Sequence, residues 1–136
     1  MDKVISIFVL LVALAIVLIV LPALFPSVNT NQFRAKQDIR LLHDAVNLFA
    51  QDVGRLPSNQ EGLEALISLP EGMLLEGYNT DGYLKRLPID PWGYQYHYYR
   101  VASENDTDVF EIWSYGADGI PGGEDYYQDV RWSPET

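Results

Sequence analysis

Residues 4–25, VISIFVLLVALAIVLIVLPALF, lead across Pro26 into residues 27–53, SVNTNQFRAKQDIRLLHDAVNLFAQDV. The first stretch carries no charge, and Ser6 is its only hydroxyl. A helix rises about 1.5 Å per residue, so about 20 apolar residues cross the hydrocarbon of a bilayer, and this stretch reads as a membrane helix. In the second stretch Ala35, Ile39, Leu42, Val46, Phe49 and Val53 recur at steps of four and three. That spacing gathers them on one helix face and leaves Arg34, Lys36, Asp38, Arg40, Asp44 and Asp52 elsewhere. The pattern predicts one long rod whose distal half, residues 32–53, packs against something other than lipid.

Two prolines punctuate the rod. Pro22 removes a backbone hydrogen bond and should kink the helix, and Pro26 followed by SVNTN is expected to bend or melt it around residues 22–31, with Asn29 or Thr30 capping the distal half. Val53-Gly54 marks the far end, where glycine can close a helix in the left-handed conformation. His43 lies off the apolar stripe beside Asp44 and reads as a solvated histidine.

The apolar run is longer than the core of a secretory signal, and no small-x-small site follows it directly, so it reads as a retained anchor. Lys3 and the amino terminus precede it and an acidic segment follows, which by the positive-inside tendency leaves the N-terminus in the cytoplasm and exports the rest. The organisation expected is therefore a transmembrane helix half, 1–26, and one small globular domain, 27–136. The chain holds 19 acidic and 9 basic side chains, and only Asp2 and Lys3 precede the domain, which keeps the full net charge of −10. Such a surface repels a phosphate backbone and excludes nucleic acid as a partner. With no cysteine, disulfides, thiol nucleophiles and thiolate metal sites are excluded as well.

After Gly54, Ser58 and Glu61 stand in the spacing of a capping box ahead of a helix expected over about 59–69, with Leu63, Leu66 and Ile67 packing on the long helix and Pro70 stopping it. Residues 70–82, PEGMLLEGYNTDG, read as a loop whose knuckle, Met73-Leu74-Leu75, packs. The period then shifts to two. Tyr94, Tyr96 and Tyr98 alternate with Gln95, His97 and Tyr99, and Val109, Glu111 and Trp113 with Phe110, Ile112 and Ser114, joined by ENDTD as a hairpin. A small antiparallel sheet laid on the long helix, an α+β architecture, is the economical solution. The aromatic crowd with Trp92, Trp113 and Trp132 is read as packing rather than a sugar platform, and the sequon Asn105-Asp106-Thr107 carries no weight.

The tail, YGADGIPGGEDYYQDV (115–130), sets Asp118, Glu124, Asp125 and Asp129 among Gly119, Gly122 and Gly123. Calcium takes six to eight oxygens from carboxylates and carbonyls, and no cysteine or histidine cluster favours zinc. From the residues alone, a calcium loop and a solvated acidic turn both stay open.

Three blocks, GRLPSNQEGLEAL (54–66), DGYLKRLPIDPWGYQYHY (81–98) and YGADGIPGGED (115–125), resemble in order and spacing the signature of the major pseudopilins of bacterial type II secretion systems. Lys85 through Gly93 is the most specific piece. The resemblance implies a type IV pilin-like fold, with a long N-terminal helix, half of it transmembrane, packed on a small antiparallel sheet. It implies a structural subunit, not an enzyme, anchored in the bacterial inner membrane with its C-terminal domain in the periplasm. Such subunits stack helix to helix as a homo-oligomeric filament, with other pseudopilins and inner-membrane secretion components as partners besides the lipid bilayer, and the filament assists protein export across the outer membrane. A helix apolar on every side exchanges lipid for copies of itself, since both surroundings are apolar.

The resemblance also implies structural Ca2+ in the C-terminal loop, carried over to the Asp118 carboxylate, the Tyr115 and Ile120 carbonyls, and Asp129, with Asp125 or Glu124 as a further carboxylate. The family's processed helix has glutamate at its fifth residue, where Ile5 stands when Met1 is counted first, while Pro22 falls on the family's helix proline. The charge pair that this glutamate supplies in assembly is then missing, so the alternative is a membrane-anchored periplasmic calcium-binding domain that does not polymerise. A glycosidase-like use of Asp118 and Asp129 is set aside, because so small a chain shows no separate cleft-forming domain.

Overall fold

The computed structural model describes residues 12–17, 28–70, 72–101 and 109–132. Two compact units divide the chain, residues 1–31 and 32–136. In the first, residues 12–17 are helical and exposed. The rest of the expected membrane segment, with Pro22 and Pro26, lies outside the described residues, as do ENDTD and the sequon. Among the described residues no helix is long and apolar enough to cross a membrane.

Helix α1 (Val28–Val53) is the largest element among the described residues. It includes Asn29 and Thr30 in its first turn, so neither caps a later start at 32, and residues 28–31 are helical rather than melted. Continuing the hydrogen-bond ladder across these residues satisfies more backbone groups than a cap at residue 29 or 30 would. The apolar stripe sits where its period placed it: Ala35, Ile39, Leu42, Val46 and Phe49 are fully buried, with Ala45 beside them and Val53 half-buried. The helix ends at Gly54, whose amide donates to the Ala50 carbonyl at 2.9 Å.

The connection to the next element is held by the capping box. Ser58 Oγ accepts from the Glu61 amide at 3.2 Å and the Glu61 carboxylate accepts from the Ser58 amide at 2.7 Å. That next element is a single 3-10 helix, Gly62–Leu66, not an α-helix over 59–69. Gly62 takes φ 57°, a left-handed value that no α-helix admits, and the chain tightens after it. Leu63 and Leu66 are buried against α1 as expected, whereas Ile67 is only half-buried. In the loop after Pro70, Leu75 packs on the core but Leu74 is 94 % exposed, so the knuckle does not pack as a whole.

Three strands form one antiparallel sheet in the order β1 (His97–Val101), β2 (Val109–Ser114), β3 (Val130–Arg131). The β1–β2 register pairs His97 with Trp113 and Val101 with Val109. The expected alternation from Tyr94 reduces, before His97, to one bridge between Ile89 and Gln95. β3 pairs Val130 with Ser114 and escaped sequence reading because two residues have no period. The inner face of the sheet, through Ile112 and Val130, joins Tyr96, the α1 stripe and Leu63 and Leu66 in one core. Tyr96 fastens the layers, its buried hydroxyl donating to Asp38 on α1 at 3.0 Å. Burial and the Asp38 charge both raise the pKa of that phenol, so it stays protonated.

Edge strand β1 is shielded by a side chain that imitates a strand. Asn59 accepts from the Arg100 amide at 2.6 Å and donates to the Arg100 carbonyl at 3.1 Å. Occupying both groups blunts an edge that would otherwise template pairing.

Candidate functional site

The site is built from the turn after Leu87, the end of β2 and the acidic tail. In Ile89-Asp90-Pro91-Trp92-Gly93-Tyr94, proline fixes φ after Asp90, and the Asp90 side chain folds over its own turn. Its Oδ1 accepts from the amides of Trp92 at 3.1 Å and Tyr94 at 2.8 Å, while its amide donates to the Tyr94 carbonyl at 2.8 Å. Its Oδ2 accepts from the Ser114 hydroxyl, and Ser114 Oγ in turn accepts from the Gly116 amide at 3.1 Å. Asp90 is 4 % exposed and Ser114 is fully buried. A buried carboxylate is tolerated only with such a complement of donors.

Beyond β2, a 3-10 turn at Gly116–Asp118 carries the chain to Gly119 at φ 68°. Asp118 Oδ1 accepts from the Ile120 amide at 3.2 Å, which curls the loop. The ring of Tyr94 lies on Gly119 so closely that a Cβ there would meet a ring carbon at 2.8 Å. The loop closes at Asp129: its Oδ1 accepts from the Gly122 amide at 3.0 Å and its amide donates to the Gly122 carbonyl at 3.2 Å. Between them a second 3-10 turn, Asp125–Tyr127, starts at a left-handed Asp125, φ 51°, whose carbonyl accepts from Gln32 of α1 at 2.7 Å. Arg131 contacts Asp129 at 3.4 Å and Glu111 at 3.2 Å, and lies over the Trp113 ring, 5.3 Å from its centroid.

The oxygen donors named from the sequence are thus distributed along one closed loop. Tyr115, Asp118 and Asp129 are half-buried and Ile120, Glu124 and Asp125 exposed. Among the described residues no three carboxylate or imidazole side chains draw together as a metal-holding group. The donors present are hard oxygens, carboxylate and carbonyl, the chemistry that suits calcium. To take three of these carboxylates a cation would have to draw the loop in, with main-chain carbonyls and water making up the rest. Sequence reading passed over Asp90, Ser114, Tyr94 and Gln32. Only the Asp-Pro-x-Gly turn carried a readable signal, since aspartate at the first position of such a turn folds onto the following amides.

His43 corrects a second expectation. It is not solvated: its ring stacks on Trp132, centroids 4.1 Å apart and planes 7° from parallel, with Phe110 at 4.9 Å and Asn47 in hydrogen-bond reach of Nδ1 at 3.1 Å. Burial lowers its pKa below 6.5, and the Asp44 charge offsets that in part. The opposite face of α1 sets apolar side chains among its charges. Phe33, Leu41 and Leu48 are 61 %, 49 % and 51 % exposed, and steps of eight and seven align them on one side of the helix.

The arrangement of one long helix, a three-stranded sheet and a looped acidic tail has known counterparts. Residues 26–133 match the family profile described as type II secretion system (T2SS), protein G. This chain belongs to that family. The protein G family supplies structural pseudopilin subunits of a secretion system, not enzymes. The chain is 41 % identical over 97 residues to the type II secretion system core protein G of Pseudomonas aeruginosa, covering 71 % of this chain and 66 % of that one. With the Vibrio cholerae core protein G the identity is 37 % over 106 residues, covering 77 % and 70 %. The chain thus spans about two thirds of the length of these relatives. The crystal structure of the major pseudopilin from the type 2 secretion system of enterohaemorrhagic Escherichia coli superposes with a TM-score of 0.60 at 31 % identity, covering 76 % of this chain and 82 % of that one. The shared fold is a pseudopilin helix with a small antiparallel sheet.

Proposed function

We propose that this protein G family member is anchored in the bacterial inner membrane by residues 4–25, with its domain in the periplasm, and that copies pack helix to helix into a filament that assists export. The observation that carries the reading is the row of exposed apolar side chains on the far side of α1. The core stripe serves the chain's own domain, so Phe33, Leu41 and Leu48 remain as a contact face for another helix. In the same reading Ca2+ settles in the C-terminal loop, held by Asp118, Asp129 and either Asp125 or Glu124 together with the Tyr115 and Ile120 carbonyls, and steadies that loop for assembly. The support is the donor chemistry and the family resemblance. Repulsion among the carboxylates leaves the loop looser without the cation.

Because the chain has no cysteine, pairs introduced at Leu10 and Val17, or at Leu41 and Leu48, report cleanly on oxidation in native membranes. A ladder of multimers, weakened by chelator and, for the Leu10 and Val17 pair, lost when Leu41→Glu is added, is the expected result. Leu41→Glu should shift stability by no more than about 0.5 kcal/mol, being on the surface. Monomer alone, with the domain folded, refutes the filament and leaves an anchored calcium-binding domain.

A further inference from the structure

We infer that Asp90 and Ser114 are positioning residues for the cation loop, aiming the Tyr115 carbonyl and seating Gly119; this deepens, and rests on, the calcium reading above. Ser114 is the last residue of β2, fully buried, and Asp90 comes from a turn 24 residues earlier. The Ser114 hydroxyl donates to Asp90 and accepts from the Gly116 amide. That amide belongs to the same peptide plane as the Tyr115 carbonyl. No peptide bond among the described residues is cis, and in a trans peptide the N–H and C=O point in opposite directions. Drawing the Gly116 N–H inward onto Ser114 Oγ therefore turns the Tyr115 carbonyl away from the buried Ser114.

The second grip is at Gly119. Asp90 Oδ1 holds the Tyr94 amide, and the Tyr94 ring lies flush on Gly119, between Asp118 and Ile120 in the chain. One buried carboxylate thus holds both the entry of the loop and the residue at its first bend. An oxygen ligand on main chain has no rotamer with which to correct its aim, so its direction must come from the peptide plane. Partners that orient a ligand from behind are worth about 10–100-fold in metal affinity.

The test uses the full chain in detergent micelles with calcium alone as the probe. Calorimetric titration gives the affinity, and the calcium-induced rise in Tm gives an independent readout. Ser114→Ala should weaken calcium about tenfold or more, while Ser114→Thr, which keeps the hydroxyl, should stay close to the parent. Tyr78→Phe removes a hydrogen bond to the Ala65 carbonyl far along the chain from the loop, and serves as a control for lost stability; it should lower Tm and leave calcium affinity unchanged. Asp90→Asn should act like Ser114→Ala, and if it does not fold, Ser114→Ala carries the test. Unchanged affinity in Ser114→Ala overturns the inference, as does an equal loss in Tyr78→Phe. No binding by the parent chain overturns the calcium reading itself, and that failure is visible before any variant is compared.

Discussion

Glu61→Gln tests whether a buried charge pair, and not the capping box alone, joins α1 to the 3-10 helix. Arg55 donates to both Glu61 oxygens at 2.7 and 2.8 Å, also donates to the Leu56 carbonyl at 3.0 Å, and lies 5.9 Å from the Phe49 ring centroid. The Arg55 hydrogen bonds, against a smaller opposing cost of burial and with help from Ser58, lower the Glu61 pKa from 4.5 to about 2. A folded-state value below the unfolded one means that the unfolded chain binds more protons in that range. The contribution is therefore complete above pH 4.5 and is lost as pH falls toward 2. The displacement corresponds to about 3 kcal/mol. Solvent screening at the Arg55 end, 35 % exposed against 8 % for Glu61, brings the expected loss to about 2 kcal/mol at pH 7. Glutamine keeps an acceptor for the Ser58 amide, so the cap survives and the charge alone is removed. Urea unfolding of the full chain in micelles, followed by tryptophan fluorescence, should show this gap at pH 7 and less than half of it at pH 3. A gap that does not change with pH, or that stays below about 0.5 kcal/mol throughout, refutes the argument.

Two further outcomes are expected. Because burial holds the His43 pKa below 6.5, the unfolded chain takes up the proton first; stability is full above about pH 6.5 and declines below it, and His43→Phe should flatten that decline in unfolding measured between pH 5 and 7.5. Gly119→Ala combines a left-handed φ with a collision against the Tyr94 ring and should cost about 1–3 kcal/mol in thermal unfolding. Trimming the ring in Tyr94→Ala should recover part of that loss, so strict additivity of the two changes would count against the contact.

The elements readable in the sequence were those whose cause is local. The stripe from Ala35 to Phe49 is set by the helical period, and the Ser58–Glu61 box by a spacing of three, so neither needs the rest of the chain to be recognised. The blocks around Lys85–Gly93 and Tyr115–Asp125 were specific enough to point to the pseudopilin family, to which the chain belongs. Local reading failed for two reasons. Gly62, inside the helix expected over 59–69, takes a left-handed conformation that spacing does not announce, and His43 is covered by Trp132, 89 positions further on.

By itself, then, the sequence determined the amphipathic helix, its buried side, its capped exit, the acidic character of the tail and the family. All of these follow from periodicity, charge and short-range spacing, which travel with the chain whether or not it is folded. Tertiary structure alone decided that Asp90 meets Ser114 behind the acidic loop, that Val130–Arg131 completes the sheet, and that Phe33, Leu41 and Leu48 stand exposed. Those depend on which surfaces close over one another, and burial turns a turn-forming aspartate into a strut because a desolvated carboxylate must find every donor within reach.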